Sequence, residues 1–211
     1  MLCMPDSTWY ISILMDSERP DQNTHLSEDY LREHTVGELR PLSSRIYVVH
    51  YDPEWPWMFE RDAERVRKAL GDRALIIEHV GSTSVPELPA KPIIDIVLVV
   101  AESHDEAVYV AALETAGYRL RIREPGWYEH RLFKGPEDRV NLHVFSLGCP
   151  EIERMVRFRN WLRVSKEDRE LYARTKRNLA EREWKYTQNY ADAKSKVIED
   201  IMSRARRAAA T

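Results

Sequence analysis

Gly81-Ser82-Thr83-Ser84 lies between two short apolar runs, 76–80 and 93–100, and is followed by Lys91 and Asp95. A glycine with three hydroxyl residues makes a turn whose N–H groups and hydroxyls suit phosphate oxygens. Lys91 adds positive charge, and Asp95 adds a carboxylate able to hold a divalent cation. The same residues equally describe an ordinary hydroxyl-rich turn beside a structural acid. Glu78 stands just before the turn, on the strand face shared with Val80, and His79 faces the other way. His143 lies in a later apolar run with Asn141 and Phe145 on its face. It is read as a metal ligand with Asp95 and Glu78, as a general base, or as a histidine satisfied by a backbone carbonyl. Arg131 and Lys134 follow the alternating Arg119, Arg121 and Arg123. Arginine suits bidentate phosphate contact, and a solvated strand face explains the run as well. Lys194, inside an amphipathic stripe, is expected to face a cleft.

The positioning elements follow from periodicity. The runs 76–80 and 93–100 are rich in Ile and Val and read as strands. On the second, Asp95 shares a face with Val97 and Val99. A short strand is expected over 46–49. A helix is expected from Asp52-Pro53-Glu54-Trp55, with Phe59, Ala63, Val66 and Leu70 on one side and Gly71 as its stop. Trp55 and Trp57 are expected to pack in the core or at the helix entry rather than to stack on a ligand. Ser103 with Glu106 forms a capping-box pattern for a helix ending near Gly117. Strands are expected over 118–122, 129–133 and 140–146. Helices follow from Pro150, from Ser165, and along the stripe Tyr190, Lys194, Val197 and Ile201. Residues 1 to about 28 show no period, and Ser27 is a candidate cap for a short helix.

The chain has 211 residues, with 43% hydrophobic and 32% charged residues and a formal net charge of -3. It is long enough for a sizeable core. Its charge gives no global attraction to nucleic acid or membrane, so a phosphate site must come from local clustering. Cys3 and Cys149 form no metal-binding or disulfide pattern. No apolar run reaches the roughly 18–20 residues of a membrane span, and residues 9–15 lack the basic flank of a signal peptide. A cytoplasmic protein is expected.

The run His79-Val80-Gly81-Ser82-Thr83-Ser84-Val85-Pro86, followed by Ala90-Lys91-Pro92-Ile93-Ile94-Asp95-Ile96, resembles the signature of the GrpB family. The likeness takes in Tyr51-Asp52-Pro53-Glu54-Trp55-Pro56, Asn141-Leu142-His143-Val144, Phe158-Arg159-Asn160-Trp161-Leu162 and Tyr190-Ala191-Asp192-Ala193-Lys194. It covers roughly 45–206, leaving 1–44 as an N-terminal extension and 207–211 as a tail. The resemblance implies an α/β (α+β) fold like that of nucleotidyltransferases: a small mixed sheet with flanking helices and a helical C-terminal part. In such folds a Gly-Ser pair holds the triphosphate and an Asp-x-Asp strand, with a third acid, holds two Mg²⁺. By that likeness Gly81 and Ser82 are the phosphate-holding pair and Asp95 is the first carboxylate. Val97 stands at the second carboxylate position and His143 at the third.

The expected function is nucleotidyl transfer from a nucleoside triphosphate to a small acceptor. Gly81, Ser82, Thr83, Ser84, Lys91, Arg131 and Lys194 would hold the nucleotide. Asp95 and His143 would act at the reacting centre, with Mg²⁺ or Mn²⁺ on Asp95, His143 and Glu78. One rival is a nucleotide- or phosphometabolite-binding pseudoenzyme, suggested by Val97. Another is a mononuclear-metal enzyme on the same fold.

Overall fold

The computed structural model describes residues 26–209, so the expected N-terminal tail lies almost wholly outside the described residues. A five-stranded mixed sheet has the order β1-β2-β5-β4-β3. Its strands are β1 (Ile76–Val80), β2 (Ile94–Val100), β3 (Arg119–Glu124), β4 (His130–Lys134) and β5 (Val140–Ser146). Only β2 and β5 run parallel; the other neighbours are antiparallel.

Alternation along the strands separates two faces. One carries Ile94, Ile96, Leu98, Val140, Leu142 and Val144 into the main core. It packs against α2 (Trp55–Leu70) and α3 (Val110–Thr115). The other face carries Val97, Val99 and Phe145 under α4 (Pro150–Val164), where they meet Val80, Trp127, Ile152 and Met155. A third cluster joins the segment after β1 (Val85, Leu88) to α4, α5 (Lys166–Ala180) and α7 (Ser195–Ala209) through Leu162, Tyr172 and Ile201. The helical C-terminal half is thereby clamped over the Gly81 end of the second face.

Several local expectations need correcting. Trp55 is buried but Trp57 is 60% exposed. Two residues along a helix turn a side chain about 200° away from the core-facing stripe, and Arg61 covers the Trp57 ring instead. The expected strand at 46–49 is reduced to one bridge, Val49 to Ala90. Pro89 and Pro92 flank that alanine and donate no N–H to extend the pairing. Ser103 caps nothing: its hydroxyl donates to the Glu129 carbonyl and meets Ser146 Oγ at 2.9 Å. Glu106 is taken up by Arg123 and Arg131, so the helix begins later, after a 3₁₀ turn over Glu106–Val108. The last helical stripe divides into α6 (Thr187–Asp192) and α7. Lys194 occupies the break, and its carbonyl accepts from Ile198 N. At the N-terminal side, Ser27 Oγ accepts from Tyr30 N and caps α1 (Glu28–His34), as expected.

Candidate functional site

Asp95 sits where the second sheet face emerges from beneath α4. Strand register places Val80, Asp95, Asn141 and Lys134 in one row, and Glu78, Val97, His143 and Leu132 in the next. Asn141 Nδ2 donates to Asp95 Oδ1 at 2.7 Å, and Lys134 Nζ donates to Asn141 Oδ1 at 2.6 Å. His143 Nε2 stands 3.9 Å from Asp95 Oδ1. Burial pushes the Asp95 carboxyl up, but the N–H and charge of His143 in its protonated form, the Asn141 hydrogen bond and the Lys194 charge outweigh it. They hold the group below the ordinary carboxylate range.

Gly81 turns the chain beside this carboxylate with φ +68° and ψ -171°, a region essentially restricted to glycine. A β-carbon there would overlap Asp95 Oδ2 and stand 2.9 Å from Asp95 Cβ. The following Ser82–Ser84 forms a 3₁₀ turn. Ser84 Oγ donates to the Gly81 carbonyl at 2.6 Å, and Thr83 Oγ1 donates to the Ile93 carbonyl while meeting His79 Nε2 at 3.1 Å. Both hydroxyls therefore build the turn. His79 packs on Phe59, and burial drops its pKa to about 4. Arg163 donates twice to the Ser84 carbonyl, and Arg159 donates to the His79 carbonyl. Two arginines of α4 thus hold the turn in place.

Positive charge gathers around the single Asp95. Burial lowers the pKa of Lys91, Lys134, Lys176 and Lys194, and Asp95 opposes the drop in each case. Lys194 falls to about 8, with its ammonium 4.5 Å from the centre of the Tyr190 ring. Lys176, the buried one of the four, donates to the Pro89 carbonyl at 2.6 Å and lies over Tyr172. Lys91 further lowers both Lys134 and Lys194, so the ammonium groups feel one another.

Among the expected site residues, Gly81, Ser82, Asp95 and His143 meet on this face, and Lys91 and Lys194 feel the Asp95 charge. Glu78 shares the face, but Arg159 holds its carboxylate at 2.6 Å. Arg131 is not brought there. It pairs in register with Val144, on the opposite face, and binds Glu106 at 2.6 Å. The neighbouring arginines are also committed: Arg119 to Asp138, Arg121 to the Val36 and Glu38 carbonyls, and Arg123 to Glu106. Sequence reasoning passed over Lys176, Arg163, His130 and Glu124. Register alone could have flagged His130, which lies on the His143 face, whereas Lys176 lies in a helical heptad with no outward mark of burial.

These donors do not fit a two-Mg²⁺ centre. Mg²⁺ calls for oxygen ligands, usually carboxylates, and the second carboxylate position is Val97. That side chain is fully buried among Val80, Val99, Trp127 and Phe145, where an ionised acid would be strongly disfavoured. Four lysines around one carboxylate also oppose an added cation. Among the described residues, a His/acid group whose ligand atoms lie within 4.8 Å of one another is Glu102, His104 and Glu129. It does not include Asp95.

A mixed sheet bearing a glycine turn and a strand carboxylate, flanked by helices, defines an α/β protein. The GrpB protein family matches residues 45–204, and the chain belongs to that family. It is 58% identical over 183 residues to a UPF0157 protein from Halalkalibacterium halodurans, covering 87% of this chain and 94% of that one. A UPF0157 protein from Streptomyces coelicolor is 44% identical, with 78% and 87% covered. The crystal structure of conserved protein GrpB from Enterococcus faecalis superposes with a TM-score of 0.69 at 32% identity, covering 78% of this chain and all of that one. No helix among the described residues is long and apolar enough to cross a membrane.

Proposed function

We propose that this GrpB-family protein binds a nucleoside triphosphate on the Asp95 face and transfers its nucleotidyl group to a small hydroxyl acceptor. The observation that carries the reading is that Lys134 is joined to Asp95 through Asn141, while Lys91, Lys176 and Lys194 lie within electrostatic reach of the same carboxylate. Partly buried ammonium groups in mutual repulsion are stabilised by an anion of higher charge than Asp95 supplies. A triphosphate meets that need. The Gly81 turn allows close backbone approach, and Ser82 offers a hydroxyl.

In the transfer, the acceptor oxygen attacks the α-phosphorus and pyrophosphate leaves. The acceptor proton passes to His143, beside Asp95. The lysines supply the charge stabilisation for which this chain has no carboxylate pair. Mycobacterial relatives named dephospho-CoA kinase, 28% identical, speak for phosphate chemistry in proteins that contain such a segment. This chain aligns with about half of their length and has no G-x-x-x-x-G-K-[S/T] run of its own, so their kinase activity is not assigned to it. Val97 favours the second reading, nucleotide or phosphometabolite binding without turnover.

Calorimetric titration with ATP, GTP, CTP and UTP in EDTA, Mg²⁺ and Mn²⁺ tests binding. Pyrophosphate release on adding hydroxyl acceptors tests transfer. Binding in EDTA supports the lysine site. No binding of any nucleotide under any condition overturns it, and binding without release across acceptors selects the second reading.

A further inference from the structure

His143 is backed by a line of side chains that the transfer scheme has not used. Tyr30 Oη donates to Glu124 Oε1 at 3.0 Å. Glu124 Oε2 lies 2.7 Å from His130 Nδ1, and His130 Nε2 lies 3.1 Å from His143 Nδ1. Glu124 and His130 are 4% and 3% exposed. The two imidazoles stack 5.3 Å apart, and His130 is also packed by Phe145 and the edge of Trp127. Cross-strand pairing of Glu124 with His130 builds the line into the sheet.

The donors along this line follow once Glu124 is ionised and both rings are neutral. An ionised carboxylate only accepts, so His130 Nδ1 carries the hydrogen that meets Glu124. His130 Nε2 then bears a lone pair, and His143 Nδ1 donates to it. His143 Nε2 is left with a lone pair on the side facing Asp95.

We propose that Glu124 and His130 are positioning residues that fix His143 in its Nδ1–H tautomer and make Nε2 the proton acceptor of the site. The inference rests on the reading that the Asp95–His143 face receives the acceptor hydroxyl. The O–H proton moves to Nε2, and its electron pair stays on the oxygen that attacks phosphorus. The resulting imidazolium lies between Asp95 and the His130–Glu124 pair, both able to stabilise its charge.

The test is long-range ¹⁵N–¹H NMR of histidine-labelled, ligand-free protein at about pH 8, with His143 assigned by its loss in His143→Gln. The expected result is a protonated Nδ1 and an unprotonated Nε2; the opposite tautomer or an even mixture overturns the proposal. In Glu124→Gln, the Tyr30 donation holds the amide oxygen at its own side and turns the NH₂ toward His130. Both rings should then invert to Nε2–H, whereas an unchanged tautomer in the folded variant refutes the relay. The wild-type spectrum decides even where that variant fails to fold. Because no ligand is present, failure of nucleotide binding and failure of the tautomer assignment are separate results.

Discussion

Replacing Gly81 with alanine tests whether the turn exists to make room for the Asp95 carboxylate. Two costs add. The glycine-only backbone conformation at φ +68° and ψ -171° costs a non-glycine residue about 1–3 kcal/mol. The new β-carbon would overlap Asp95 Oδ2 and stand 2.9 and 3.0 Å from Asp95 Cβ and Cγ, and such overpacking costs about 1–3 kcal/mol. Together they give about 2–6 kcal/mol, which lowers Tm by roughly 4–24 °C in a chain of this size. Gly148 is the control. Its φ is +84°, but an added β-carbon meets nothing within 4 Å, so Gly148→Ala incurs the backbone cost alone. Thermal unfolding of Gly81→Ala, Asp95→Ala and the double variant forms a cycle. Asp95→Ala removes the overlapping carboxylate oxygen, so the two changes should couple by about 0.5–3 kcal/mol. A Gly81→Ala protein within about 2 °C of wild type, or strict additivity in the cycle, would refute the close-approach argument.

Further predictions concern titration and charge. Because burial lowers Lys194 to about 8, the unfolded chain binds more protons than the folded one between about 8 and its ordinary value of 10.5. Stability should therefore rise with pH across that window. Lys194→Met should flatten the rise, and saturating tripolyphosphate should flatten it in wild type by favouring the charged ammonium; denaturant melts across the window check both. His79, lowered to about 4 from 6.5, is neutral in the folded protein, so its contribution is fully present above about 6.5. That contribution is lost as pH falls toward 4 and amounts to roughly 3 kcal/mol by linkage. The stability difference between wild type and His79→Gln should shift by an amount of that order across the window, and a constant difference would contradict the assignment.

Much of the frame was legible because periodicity and punctuation agree with burial. The alternation of 94–100 gave the two sheet faces, and Ser27 and Ser165 capped the helices expected of them. Gly81, Asp95, His143 and Lys194 stood out because their types suit the chemistry. What escaped was set by tertiary contact. Arg131 looked like a phosphate ligand until register placed it opposite Asp95. Glu78 looked free until Arg159 arrived from α4, 81 positions later in the chain. Lys176 reads as a surface residue, and only the packing of α5 against the Pro89 segment buries it. Glu124 meets His130 only because of a register shift between Leu120 and Ile122 in the β3–β4 pairing.

The most direct measurement is the affinity of inorganic tripolyphosphate and ATP for wild type and Asp95→Asn, in EDTA and again with Mg²⁺. If the lysines hold the phosphates, wild type binds in EDTA. Removing the competing negative charge at Asp95 then leaves binding intact or makes it tighter. Binding that appears only with Mg²⁺ and disappears in Asp95→Asn would contradict the account and return Asp95 to the role of a metal ligand.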